Sequence, residues 1–127
     1  MLRTGILNPQ INSLLARVRH TNTLVIADRG FPFWPVVETI DLALVDDKPT
    51  VLDVLEAIAP NFVIGHAWMA AEFRQHNDSA LLDRFQSLLP PLTFEPHAEL
   101  KLRVPRAIGL IRTAGTAQYS NLILESA

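Results

Sequence analysis

Apolar residues along this chain alternate between helical and extended spacing. Ile11, Leu14, Leu15 and Val18 recur three and four apart, which sets them on one face of a first helix opened by Asn8 or Pro9 and ended by His20-Thr21-Asn22. Thr23 to Ala27 is an apolar run of strand length, and Asp28-Arg29-Gly30 leaves it in a turn. Phe31-Pro32-Phe33-Trp34-Pro35 has two prolines too close together for regular structure and reads as an aromatic loop. A second strand is expected from Thr39 to Leu44. Thr50 can cap a helix from Val51 to Ala59, with Asp53 at the position that closes a capping box.

The second half repeats the alternation. Phe62 to Met69 reads as a strand. Ser79 to Leu89 reads as a helix with Leu81, Leu82, Phe85, Leu88 and Leu89 facing inward, stopped by Pro90-Pro91. Pro96 to Leu102 predicts a short helix with His97 and Lys101 four apart on one face. Ala107–Ile111 and Leu122–Leu124 are the last expected strands. Strands alternating with helices predict an α/β three-layer fold: a central mixed, mainly parallel sheet flanked by helices. The chain has 127 residues with no internal repeat or linker, so one domain over residues 1–127 is expected.

Composition narrows the function. The net charge is −2, from 11 basic and 13 acidic side chains, which removes the main drive for binding a phosphate backbone; no nucleic-acid partner is expected. Cysteine is absent, which excludes disulfides and thiolate chemistry and fits a reducing compartment. The first residues lack the apolar core of a signal peptide, and no apolar run approaches the ~20 residues of a membrane span. A cytoplasmic protein without membrane contact is therefore expected. The four histidines have no ligand-like spacing, and no glycine-rich phosphate loop is present, so neither a metal nor another cofactor is expected.

A scattered polar set remains: His20, Asp28, His97, Lys101, Tyr119 and Asn121, each beside an apolar segment. It combines groups that move protons with groups that hold hydroxyls, which suits acid–base chemistry on a small neutral polyol such as a sugar. Ligands of helix-flanked sheets gather beyond strand ends, where Asp28 and Tyr119 are expected. Each residue also has a plainer reading. His20 can close a helix favourably through the dipole. Asp28 can be turn chemistry, His97 and Lys101 a solvated helix face, and Tyr119-Ser120-Asn121 a simple lead into a strand. His66 reads as a satisfied histidine, His76 beside Asn77 as a solvated junction between helices, and Trp34 and Trp68 as packing residues.

Four separated motifs together resemble the ribose pyranase and fucose mutarotase family. Arg19-His20-Thr21-Asn22-Thr23-Leu24-Val25-Ile26-Ala27-Asp28 is similar to its "GHTDTLVVCDAGLP" segment, and Ile40-Asp41-Leu42-Ala43-Leu44 to "IDMAL". Pro96-His97-Ala98-Glu99-Leu100-Lys101 resembles "HEQFK", and the stretch from Arg112 to Tyr119-Ser120-Asn121-Leu122-Ile123-Leu124 resembles "RSGE...YANIIL". The matches keep the family's order and span essentially the whole chain. The resemblance implies a cofactor-free enzyme that interconverts the ring forms of ribose or a related monosaccharide. His20 matches the catalytic acid; Asp28, His97 and the Tyr119-Ser120-Asn121 stretch match sugar-binding positions; Lys101 matches a basic residue near the site. It further implies a homo-oligomeric ring, commonly a decamer of two stacked pentamers, with sugar sites at subunit contacts.

Arg19 and Arg29 replace small residues of the family pattern, Ala114-Gly115 stands for its Gly-Glu, and the aromatic loop differs. His97 favours the ribose branch. If residues 23–27 are extended, His20 and Asp28 lie up to roughly 20 Å apart at about 3.3 Å per residue. Either the loop after His20 folds back or the two residues meet across a subunit interface. A sugar-binding or transport-accessory protein without turnover is the alternative reading, because the same hydroxyl-binding residues would serve it.

Overall fold

The computed structural model describes residues 1–127. Asn8 accepts the Ile11 N–H at 2.9 Å and opens α1 (Pro9–Arg17), which buries Ile11 and Leu14. β1 (Thr23–Ala27) follows, then β2 (Thr39–Asp41), α2 (Val51–Ile58) and a 3₁₀ turn at Ala59–Asn61. β3 (Ile64–Ala70) leads into the one-turn helix α3 (Phe73–His76) and then α4 (Ser79–Gln86). β4 (Leu92–Glu95), α5 (His97–Arg103), a 3₁₀ turn, β5 (Gly109–Arg112) and β6 (Leu122–Ser126) complete the chain. No helix is long and apolar enough to cross a membrane.

The six strands form one sheet in the order β2-β5-β1-β6-β3-β4. All pair in parallel except β6, which runs against both of its neighbours, β1 and β3. The expected α/β fold with a mixed, mainly parallel sheet is therefore observed. Alternation along β1 sends Leu24 and Ile26 to one face, where they join Leu14 of α1, Leu55 of α2 and Phe85 of α4. Val25 and Ala27 point to the other face and join Leu100 of α5. Those two faces are the inner surfaces of a three-layer structure.

Several boundaries differ from expectation for local reasons. α1 stops at Arg17, with Val18 already extended, because the Asn22 side chain accepts the Arg19 N–H at 2.8 Å and draws the chain into a turn. His20 therefore lies in that turn and does not close the helix, so the dipole reading of His20 fails. β2 ends at Asp41, whose carboxylate takes the Ala43 N–H at 3.0 Å and so removes it from the sheet. The capping box at α2 is present: Thr50 accepts the Asp53 N–H, and Asp53 accepts the Thr50 N–H. β4 was not anticipated, since prolines bracket it on both sides; it is an edge strand that pairs only with β3.

Gly109 of β5 lets Leu14 of α1 pack directly on the sheet backbone. A Cβ there would come within 2.6 Å of the Leu14 methyl groups, and Leu14 is fully buried. We expect Gly109→Ala to lower unfolding free energy by about 1–3 kcal/mol in urea titrations, with part of the loss recovered when Leu14→Ala is combined with it. Simple additivity of the two losses would contradict this contact.

Candidate functional site

The parallel strands end at one edge of the sheet, and the reversed β6 begins there. Asp28 follows β1, His97 follows β4, and Tyr119 to Asn121 lead into β6, so sequence-distant residues meet at that edge. They line a cavity of about 390 Å³, whose remaining wall is built from Arg29 to Pro32 and from Gly115 to Gln118.

Asp28 and Asn121 form the floor. The Asn121 amide oxygen accepts the Asp28 backbone N–H at 2.7 Å, and its amide NH₂ donates to Asp28 Oδ2 at 3.1 Å. Asp28 Oδ1 accepts the Gly30 N–H at 3.0 Å and thereby makes the turn the sequence suggests. Asn121 is buried, so its amide is held in one orientation. Burial pushes the Asp28 carboxyl above its usual range, opposed by the hydrogen bonds from Gly30 and Asn121 and by the nearby His97.

The opposite wall is aromatic. The His97 ring stands edge-on to Phe31 at 6.0 Å and to Tyr119 at 5.2 Å between centroids. Its Nδ1 is buried with no hydrogen-bond partner in the protein, so it is an unsatisfied polar atom beside the cavity. Burial holds the His97 pKa below the ordinary histidine value; the Lys101 charge one turn along α5 pushes the same way, and Glu72 and Asp28 push back. The neutral imidazole is the favoured form. Tyr119 sits at φ +58°, the left-handed region that costs a non-glycine residue about 1–2 kcal/mol.

The loop from Thr113 to Thr116 is pinned from outside. Asp47 donates its N–H to the Ala114 carbonyl, and its carboxylate accepts the Thr116 N–H and hydroxyl at 2.8 and 2.9 Å. A Cβ on Gly115 would lie 3.2 Å from Thr113 Oγ1 and 3.3 Å from Val51 N, so a side chain here would require its neighbours to give by a few tenths of an ångström. Arg29 lines the rim, turned toward Asp46 at 2.6 Å, while its carbonyl accepts two N–H groups of Arg112.

The whole chain, residues 1–127, matches the model of the RbsD / FucU transport protein family. The chain belongs to that family. D-ribose pyranase of Laribacter hongkongensis is 39% identical over 128 residues, covering 99% of this chain and 97% of the relative. D-ribose pyranase of Geobacillus kaustophilus is 37% identical over 131 residues, covering 99% and 93%. Bacillus subtilis RbsD complexed with D-ribose superposes with a TM-score of 0.93 at 31% identity, covering 100% of this chain and 98% of that one. The fucose mutarotase of Streptococcus pneumoniae in complex with L-fucose shares the fold, with a TM-score of 0.82 at 15% identity over 99% of this chain and 98% of that one.

Against the sequence expectations for this family member, Asp28, His97, Tyr119 and Asn121 meet around one cavity. Lys101 does not line it; one turn further along α5, its charge acts on His97. Ser120 does not line that cavity: it lines a second hollow of about 380 Å³ on the other side of the 115–117 loop. His20 is exposed at the far edge of the sheet, where the Thr21 N–H donates to the Ser126 carbonyl at the end of β6. The loop after His20 does not fold back toward Asp28. His66 bonds Thr93 Oγ1 at 2.8 Å, and Trp68 carries the Arg103 guanidinium at 4.4 Å from its ring centroid, both in keeping with packing roles.

Sequence reasoning overlooked Glu72, whose carboxylate accepts the His97 backbone N–H at 3.0 Å. A signal was present. A helix that starts Pro96-His97 has no side chain of its own to cap its first N–H groups, so an acceptor must come from elsewhere.

The His97 shift has a consequence for stability. The folded protein binds this proton more weakly than the unfolded chain, whose histidine pKa is about 6.5, so the unfolded state holds more protons below that pH and stability falls as pH drops through and below it. We expect His97→Gln to flatten this part of a melting-temperature-versus-pH curve. An unchanged slope would assign the titration to another group.

Proposed function

We propose that the protein is a cytoplasmic isomerase that interconverts the pyranose and furanose forms of D-ribose, without a cofactor, as a homo-oligomer whose site is completed by His20 of a neighbouring copy. The observation that carries this reading is the cavity in which Asp28, His97, Tyr119 and Asn121 converge, in a chain 39% identical to a D-ribose pyranase over nearly its full length. Its volume, about 390 Å³, is within the roughly 300–1,000 Å³ range of small-molecule sites. The absence of cysteine supports a reducing compartment.

Ring interconversion breaks the bond between the anomeric carbon and the ring oxygen. The anomeric hydroxyl gives up a proton, the ring oxygen takes one, and a different hydroxyl then closes the ring with the transfers reversed. Only protons move. In this reading Asp28 accepts a hydrogen bond from a sugar hydroxyl on a remaining lone pair of a carboxylate whose two oxygens are held by Gly30 and Asn121. Neutral His97, which lines the cavity, offers a ring nitrogen to a sugar hydroxyl. Lys101 contributes positive charge that offsets developing negative charge on oxygen, and Tyr119 fixes the sugar's orientation.

The proton carrier is His20, whose imidazole can serve as both general acid and general base. Its exposure, and its position at the sheet edge opposite Asp28, support delivery into another copy's cavity. Exposed apolar side chains, among them Phe33 at 76%, Leu44 at 79% and Leu102 at 74%, support association, and the ring-shaped decamer is the assembly proposed.

The reading is tested by NMR exchange between ribopyranose and ribofuranose, with L-fucose anomers measured in parallel. We expect accelerated ribose exchange in the wild type and a loss of at least about 100-fold in His20→Ala with ribose affinity largely kept. Saturable ribose binding with no acceleration would replace the enzyme by a sugar-binding protein, and acceleration of fucose alone would reassign the substrate.

A further inference from the structure

Two cavity side chains, His97 and Tyr119, are held from behind by one short stretch of chain that does not itself line the cavity. It runs from Glu72 through α3 to Asn77. Both oxygens of the Glu72 carboxylate lie 3.0 Å from the His97 backbone N, at a helix start where Pro96 offers no side-chain acceptor. The Glu72 carbonyl accepts a hydrogen bond from His76 Nδ1 at 2.9 Å. That bond fixes the His76 imidazole against Tyr119, with ring centroids 5.0 Å apart. Asn77 completes the stretch: its NH₂ donates to the Phe73 carbonyl at 3.0 Å and, across the fold, to the Gln118 carbonyl at 2.8 Å.

The second of those bonds falls on the residue before Tyr119. Tyr119 has a left-handed backbone, and a tyrosine keeps that conformation only when its surroundings over-determine it. Asn77 fixes the peptide on its N-terminal side, His76 packs on its ring, and His97 meets the same ring edge-on at 5.2 Å. His76, Tyr119 and His97 thus form a row in which the outer histidine supports the tyrosine that supports the inner one.

We propose that His76 and Asn77 are positioning residues of the sugar site: they hold Tyr119 in its left-handed conformation without touching the sugar. The kinetic part of the test rests on the isomerase reading; the spectroscopic part does not. Tyr119 is the only tyrosine in the chain, so 3-fluorotyrosine labelling gives a single ¹⁹F resonance that reports on this residue alone.

The variants are Asn77→Ala, Asn77→Asp, which keeps the size but cannot donate, His76→Ala, and His76→Phe, which keeps a ring. Asn77→Ala and Asn77→Asp are expected to shift or split the ¹⁹F line and raise KM for ribose by about tenfold, with kcat within about threefold. His76→Ala is expected to do the same, and His76→Phe to restore both the line and KM. An unmoved line with KM within about twofold in both Asn77 variants would overturn the proposal, as would equal damage from His76→Phe and His76→Ala. If the wild type accelerates no sugar, the isomerase reading fails, while the ¹⁹F line still decides whether Asn77 and His76 hold Tyr119.

Discussion

The site depends on one pair of hydrogen bonds, between the Asn121 amide and Asp28. Asn121 stands where the reversed strand β6 begins, and Asp28 stands where β1 ends; only an antiparallel pairing of these two strands brings the two residues together. The buried amide both accepts and donates, so it fixes the backbone and the carboxylate of Asp28 at once. With that corner set, the Tyr119 lead and the 113–116 loop have defined positions. The loop's outer contacts to Asp47 and the Arg29–Gly115 backbone bond then close the wall. A cavity rich in hydrogen-bonding groups with only a few apolar ones is suited to a polyol, whose hydroxyls need partners as they leave water.

Charge in the cavity is balanced by opposed environments. Asp28 resists ionisation through burial yet is stabilised as an anion by N–H donors, and His97 is kept neutral by burial and by Lys101. A neutral imidazole facing a carboxylate offers donors and acceptors without a fixed ion pair that a neutral sugar would have to displace. On the proposed reading, the group that carries the proton comes from outside this arrangement. Separating it from the binding residues means that each copy can bind sugar, while turnover needs two.

Much of this was legible in the sequence because it was local. The run Thr23–Ala27, the Thr50–Asp53 capping box and the four-residue spacing of His97 and Lys101 each encode their structure within a few residues. The resemblance to family motifs then grouped Asp28, His97, Tyr119 and Asn121, which the fold does bring together. What was hidden depended on partners far away in the chain. Asn77 meets Gln118 and Glu72 meets His97 only after the sheet forms. β4 carries too few residues between Pro91 and Pro96 to announce itself and is stabilised by pairing with β3. Ser120 shows the limit of motif transfer: it sits between two cavity residues, yet it lines the second hollow.

The central claim is that one copy supplies His20 and another supplies Asp28. Subunit complementation tests it most directly. His20→Ala and Asp28→Ala proteins, each purified alone, are dissociated, mixed in equal amounts and reassociated, and ribose exchange is followed by NMR. The account predicts that each variant alone is inactive and that the mixture regains about a quarter of wild-type activity, because about one interface in four pairs an intact His20 with an intact Asp28. A mixture as inactive as its components, with mixed oligomers confirmed by mass, would contradict a site shared between copies.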